Sequence, residues 1–175
     1  DREERNIMKV KITGTGSCLP KLRVTNDDLG QIMETSDEWI RSRTGIIARH
    51  IAVEETTTGM STEAAGKALK NAEISAEDVD IIIAATVSAD KHLPGLACEV
   101  QKNIGAENAV AFDINAACSG FLFCTRYCGA VFRTWRISAC ACDWSGNAVK
   151  NDGLDGPEHL RAFWGRRRGS SSFCK

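Results

Sequence analysis

NAVAFDINAACSGFLF, residues 108–123, decides the fold. Its first ten residues, NAVAFDINAA, make a continuous apolar run of strand length, the pattern of a strand buried on both faces. The residues after them, ACSGFLF, open a helix, so the stretch reads strand, turn, helix. Upstream, DVDIIIAATV (78–87) is a second buried strand, and LPGLACEVQKNIG (93–105) between the two is a helix opened near Pro94 and closed by Gly105. Strand and helix in alternation predict a layered α/β fold.

The same logic extends toward the N-terminus. KVKITGTGSCLP (9–20) is a β-rich run that ends in Gly, Ser and Pro, a strand passing into a loop. VTNDDLGQIM (24–33) predicts a short helix capped by Thr25 or Asn26, with Asp27 and Asp28 at its positive end. TSDEWIRSRTG (35–45) predicts another, with Ser36 as cap, acids in its first turn and Gly45 as stop. MSTEAAGKALKNAEI (60–74) places Ala64, Ala65, Ala68, Leu69 and Ala72 on one helical face.

At 175 residues, 43% apolar and 26% charged, the chain has the composition of an ordinary soluble protein with a core. No apolar run is long enough to span a membrane, and no signal-like stretch opens the chain. Residues 1–7 (DREERNI) read as an upstream extension before Met8. A cytoplasmic location follows as the expectation, with the eight cysteines held as reduced thiols rather than as a disulfide framework. The net charge of −1 hides an asymmetry: residues 1–123 carry 13 Lys and Arg against 19 Asp and Glu, residues 124–175 carry 9 against 4. Three of the four tryptophans and five of the eight cysteines also lie in that last segment, so composition breaks at about position 123.

Cys118 follows a buried strand and stands at the first turn of a helix. Unsatisfied backbone N–H groups and the helix dipole favour a thiolate at such a place. The small residues around it, with Ser119 and Gly120, leave room for a substrate carbonyl and a long thin acyl carrier. By spacing alone a buried structural cysteine is equally compatible.

GTGSCLP, TNDDL, TSDEWIRSRTGI, IIIAATV and DINAACSGF, in that order and spacing, resemble β-ketoacyl-acyl-carrier-protein synthase III over residues 8–123. The resemblance implies the thiolase-like fold, built from two similar α/β halves with a mixed five-stranded sheet in each, of which this chain supplies the N-terminal half. It implies the condensing reaction that initiates type II fatty-acid synthesis. An acyl group passes from coenzyme A to a cysteine and condenses with malonyl-acyl-carrier protein, releasing carbon dioxide. Under it, Cys118 matches the nucleophile, and Trp39 and Arg43 match the pair that holds coenzyme A. Thr35 lies in the same loop as a further hydrogen-bonding candidate, and Leu93 matches a residue at the acyl pocket and dimer interface. The family is a homodimer whose partners are acyl-CoA and the carrier protein. It uses no metal or redox cofactor, and it needs no nucleic acid and no membrane. Another thiolase-fold acyltransferase, of polyketide or hydroxymethylglutaryl-CoA synthase type, and a non-catalytic fragment are the rival readings.

Taken on their own residues, Trp39 on an amphipathic helix fits a core position and Arg43 a solvated charge. Cys18 and Cys98 read as inert thiols, and His50 and His92 as surface residues. The family's catalysis also draws a His and an Asn from its second half. The one histidine after Cys118 is His159, in GPEHLRAF, which is not the family's motif, so the chain itself is expected to be inactive in condensation.

Residues 124–175 show neither helical nor strand period over a useful length and are expected to be disordered. A one-base slip near Phe123 accounts for them. Every Trp codon is TGG, so in the shifted frame each Trp triplet begins GG and encodes Gly. Residues 143–150 (DWSGNAVK) then can read IGAETLSK, the segment from Ala162 can read LFGDGAGAA, and Cys124 onward can read ALDTV. The family continues after CSGF with a helix, a VIGAE strand and an FGDGAGA motif, in that order. Under this reading Cys124, Cys128, Cys140 and Cys142 have no selected role. The Cys140–Cys142 pair lacks a second pair at ligand spacing, and Arg166–Arg168 lack a fold to present them to nucleic acid.

Overall fold

The structure, a computed structural model, describes residues 11–134, 139–144 and 160–165. Expectations for residues 1–10, for His159 and for Arg166–Arg168 fall outside the described residues.

Among the described residues, seven strands and five helices succeed one another: β1 (Lys11–Ser17), β2 (Leu22–Thr25), α1 (Asn26–Gly30), α2 (Asp37–Thr44), β3 (Ala48–Ile51), α3 (Thr57–Ala72), β4 (Ile81–Ala85), α4 (Leu96–Ile104), β5 (Val110–Ile114), α5 (Gly120–Thr134), β6 (Ala139–Trp144) and β7 (Leu160–Gly165). Short 3-10 turns sit at Ala76–Asp78 and Ala117–Ser119. Five strands form one sheet in the order β1-β7-β6-β4-β5, while β2 and β3 form a separate antiparallel pair. β4 runs parallel to both β5 and β6; β7 runs antiparallel to β6 and to β1. The sheet is therefore mixed.

β4 lies between β6 and the edge strand β5, and all five of its residues are buried. Alternation along it feeds two cores. Ile82 and Ala84 face the cluster that contains Ala65, Ala68 and Leu69 of α3 and Leu96, Ala97 and Val100 of α4. Ile81, Ile83 and Ala85 face the cluster that contains Cys124, Cys128 and Val131 of α5 with Cys140 of β6. Ile83 is fully buried, so truncating it to Ala costs roughly 2–5 kcal/mol. α3 lies close against β1 because both surfaces are small: a Cβ on Gly14 would stand 2.5 Å from the Ala68 carbonyl oxygen.

Local signals act where the residues place them. Thr25 and Asp28 form a reciprocal capping box on α1, and Ser36 caps α2 by accepting the Trp39 N–H at 3.1 Å. Gly45 and Gly105 end α2 and α4 at φ 74° and 75°, where glycine has no Cβ penalty.

Four expectations change. β5 is the edge of the sheet, with Val110 55% exposed, so the strand is not buried on both faces. Its other residues are half-buried, Ala111 against the α4 side and Phe112 and Ile114 against the α5 side. Regular structure does not end at Phe123, since α5 continues to Thr134 and β6 and β7 join the sheet. Cys124, Cys128 and Val131 recur at helical spacing and are all buried, a stripe that is missed when cysteine is not counted as apolar. The cysteines are not all reduced thiols: Cys128 and Cys140 form a disulfide that ties α5 to β6, with Cα atoms 6.2 Å apart. Finally, His50 is a half-buried residue of the β2–β3 pair, with Nδ1 2.7 Å from the Pro20 carbonyl oxygen, and not a plain surface histidine.

Candidate active site

Cys118 stands in the 3-10 turn between β5 and α5, and it is exposed. The turn is sharp. Ala117 adopts φ 43°, a left-handed conformation that costs a residue with a Cβ free energy of order 1 kcal/mol. Ser119 holds the turn closed, its N–H and its Oγ–H both donating to the Ala116 carbonyl at 3.1 and 2.7 Å. Gly120, buried, then starts α5, whose apolar stripe seats it on β4 and β6. The thiol is thus presented to solvent on a strained strand-to-helix turn, ahead of a 15-residue helix.

Trp39, Arg43 and Thr35 gather at α2. Ile40 is the buried residue of that helix, and Trp39 points away from the core with 54% of its surface exposed. It is not a core tryptophan. The Arg43 guanidinium carbon lies 4.6 Å from the Trp39 ring centroid, and its Nη1 donates to the Trp39 carbonyl at 3.4 Å. Glu34, half-buried Thr35, Ser36 and Trp39 border an open depression of about 380 Å³. The depression thus offers an aromatic face and two hydroxyls beside the Glu34 carboxyl, and the Arg43 guanidinium lies against the same tryptophan ring.

A buried polar network fixes this helix. Asn26, 1% exposed, donates through Nδ2 to Asp37 Oδ1 at 2.8 Å and to the Ile46 carbonyl at 2.7 Å. Its Oδ1 accepts from Arg49 Nη2 at 2.9 Å, and Arg49 is itself buried. Sequence reasoning considers Asn26 only as a cap and passes over Arg49.

Leu93 lies in the loop between β4 and α4 and is 87% exposed. That loop is fastened at both ends to the last two residues of β5. The Thr86 N–H donates to the Ile114 carbonyl at 3.2 Å, and the Leu96 and Ala97 N–H groups donate to Asp113 Oδ2 and Oδ1, each at 2.7 Å. The motif reading gives Asp113 no role. Among the described residues no hydrogen bond or ring contact joins the Trp39 group to Cys118.

The other thiols have ordinary surroundings. Cys98 Sγ lies 3.6 Å from the Ala111 carbonyl oxygen, and Cys18 is half-buried near Glu63, whose carboxyl is held below its usual range by Lys67 first and by the Cys18 thiol second. No helix among the described residues is long and apolar enough to cross a membrane.

No protein-family model matches the chain. A β-ketoacyl-[acyl-carrier-protein] synthase III of Clostridium botulinum (strain Loch Maree / Type A3) is 55% identical over 114 residues, 65% of this chain and 35% of that protein. The crystal structure of 3-oxoacyl-[acyl-carrier-protein] synthase III from Aquifex aeolicus VF5 superposes with a TM-score of 0.84 at 38% identity, covering 92% of this chain and 55% of that one. The priming β-ketosynthase of the R1128 polyketide pathway superposes with a TM-score of 0.82 at 26% identity, covering 90% and 50%. The chain thus spans about a third of the length of the curated relatives it matches. The structural likeness covers a larger share than residues 1–123 make up, so it reaches into the segment after Phe123. On sequence and fold together, the chain is similar to the N-terminal part of β-ketoacyl-[acyl-carrier-protein] synthase III enzymes and shares their thiolase-like architecture.

Proposed function

We propose that this chain is the nucleophile-bearing part of an initiating condensing enzyme of type II fatty-acid synthesis, acting on acyl-CoA and malonyl-acyl-carrier protein. The observation that carries the proposal is Cys118, exposed on its strained turn at the head of α5.

In the first stage the Cys118 thiolate attacks the thioester carbonyl of acyl-CoA; the new C–S bond forms as the old one breaks, and coenzyme A leaves as a thiolate that takes up the proton Cys118 had released. In the second, carrier-bound malonyl loses carbon dioxide. The resulting carbanion attacks the acyl-Cys118 carbonyl, and β-ketoacyl-carrier protein leaves as Cys118 recovers its proton. Trp39 and Arg43, with Thr35 beside them, receive the nucleotide end of coenzyme A, and Leu93 lines the space for the acyl group. Coenzyme A enters as a substrate and no resident cofactor is invoked. The intact enzyme works as a cytoplasmic homodimer.

General acid–base help to the carrier-bound malonyl group, and stabilisation of the enolate, come in this family from a His and an Asn outside this chain. Loss of both removes several kcal/mol of barrier lowering, so the 175 residues by themselves do not condense. The positions of β6 and β7 support the shifted-frame account of the tail. β6 ends at Trp144, in the segment that can read IGAETLSK, and β7 overlaps the segment that can read LFGDGAGAA.

The likeness to a polyketide priming ketosynthase favours a second reading, a thiolase-fold acyltransferase of that pathway type. The frame-restored protein, incubated with acetyl-CoA and malonyl-carrier protein, separates the two. Acetoacetyl-carrier protein is expected, and its absence rejects the fatty-acid assignment.

A further inference from the structure

Helix α2 carries Trp39 and Arg43, and Ile40 is its one buried residue. Burial of a single aliphatic side chain holds a helix to the surface without fixing its direction, because apolar attraction is non-directional. Hydrogen bonds are directional. The side chain that supplies them is Asn26, which belongs to α1 and is 1% exposed. Its two amide hydrogens serve opposite ends of α2. One goes to Asp37 Oδ1, in the first residue of the helix, at 2.8 Å, and the other to the Ile46 carbonyl, just past the closing Gly45, at 2.7 Å.

Arg49 decides which way round that amide sits. From β3 its Nη2 donates to Asn26 Oδ1 at 2.9 Å, and the residue is 5% exposed. A reversed amide would set its N–H groups against the guanidinium, which has no acceptor, and its oxygen against the Ile46 carbonyl, which has no donor. Among the described residues Arg49 Nε and Nη1 are buried without a hydrogen-bond partner. A guanidinium taken out of water with so little compensation is costly. Stability therefore does not account for Arg49 at this place, whereas a fixed donor behind Asn26 does.

We propose that Asn26, oriented by Arg49, is a positioning residue: it sets the direction in which α2 presents Trp39, and through Trp39 the affinity for coenzyme A. The coenzyme A part of this statement rests on the function proposed above. Exchange of Asn26 for Asp keeps the shape and the bond from Arg49. It removes both N–H donors and sets a carboxylate against that of Asp37. The two ends of α2 are then released, and the helix turns about Ile40. The Arg43–Trp39 stack lies within the helix and travels with it.

The test labels the 175-residue chain with fluorotryptophan and reads its four fluorine resonances, Trp39 being assigned by its absence in Trp39→Phe. The expected result for Asn26→Asp is a shifted Trp39 resonance, with those of Trp135, Trp144 and Trp164 unmoved. The Kd for coenzyme A, by calorimetry, rises at least threefold and by no more than in Trp39→Ala. Adding Asn26→Asp to Trp39→Ala produces no further change, as coupled positions require. A Trp39 resonance that keeps its wild-type place, movement of all four resonances together, or effects of the two substitutions that multiply, overturns the proposal. Should Asn26→Asp lose its helical circular dichroism, Arg49→Met leaves the amide unheld and is held to the same resonance and the same threefold criterion. Loss of the fold in both variants makes the pair a plain part of the core and overturns the proposal as well. A wild-type chain that binds no coenzyme A counts against the proposed function. The fluorine shift needs no ligand and decides the role of Asn26 by itself.

Discussion

The Arg43 guanidinium lies over the Trp39 ring, 4.6 Å from its centroid, on a helix turn that buries neither side chain. Exposed cation–π pairs contribute about 0.5–1 kcal/mol, too little to explain an outward tryptophan by stability alone. Trp39→Ala is expected to shift unfolding by no more than about 0.5 kcal/mol, the usual range for surface positions. Affinity for coenzyme A is expected to fall about tenfold, equivalent to about 1.4 kcal/mol. Arg43→Lys keeps the charge and loses the planar fork, so it weakens binding less than Arg43→Ala. Calorimetric titration with coenzyme A checks this, and equal affinity in Trp39→Ala rejects the assignment of this pair.

Cys118 is expected to be alkylated ahead of every other described thiol by limiting iodoacetamide. Cys98 and Cys18 are half-buried, Cys124 is fully buried, and Cys128 and Cys140 are bridged. Peptide mass mapping after brief exposure gives the order. Faster modification of Cys124 than of Cys118 would mean that α5 is not seated on β4.

Legibility of the fold followed the range of the signals. Caps and stops at Thr25, Ser36, Gly45 and Gly105 act within one turn, and each lies where the sequence predicts. Exposure of β5 depends on which strand ends the sheet, and no residue of NAVAFDI encodes that. The burial of Cys124 and Cys128 depends on β6 arriving beside β4, across residues with no clear period. The site divides in the same way. Cys118, Trp39 and Arg43 are proposed from local motifs, where their chemistry stands together. Asp113 and Arg49 are not, because their partners lie 16 to 23 residues away.

Reduction of the Cys128–Cys140 disulfide is expected to lower the stability of the folded chain. The bridge spans 12 residues of sequence, and closing a loop of that size removes unfolded-state freedom worth about 3 kcal/mol. Urea unfolding with and without a phosphine reductant should show a lower midpoint in the reduced chain. The Cys128→Ala, Cys140→Ala double variant should show the low midpoint in both conditions.

Glu55 sets an acid limit on the loop that joins β3 to α3. Its carboxylate accepts the Lys21 and Val53 N–H groups, each at 3.1 Å, and these backbone bonds, with Lys21 first, lower its pKa from an ordinary 4.5 to about 2. A depressed carboxyl binds fewer protons in the folded state than in the unfolded one. Its contribution is therefore complete above about pH 4.5 and fades as pH falls toward 2. Amide exchange at Lys21 and Val53 should accelerate across that window relative to residues of β4. In Glu55→Gln the difference should be present at every pH, with no acid step.

The segment after Phe123 yields to a test on the gene. Phe123 and Cys124 are encoded TTY-TGY, a short run prone to slippage, and removing one base there should open a frame that begins near ALDTV. In that frame the glycines forced by Trp144 and Trp164 fall within IGAETLSK and LFGDGAGAA, at the places where the structure already puts β6 and β7. Both strands belong to the main sheet, β6 beside β4 and β7 beside β1, so the restored residues would extend a sheet that exists rather than found a new one. The restored frame should run well beyond Lys175 and reach a His and an Asn at family spacing. A stop within a few dozen codons, or a frame without that His and Asn, rejects the slip. The buried cysteines of α5 and β6 would then be the packing that selection chose, and the Cys128–Cys140 bridge a native part of the fold.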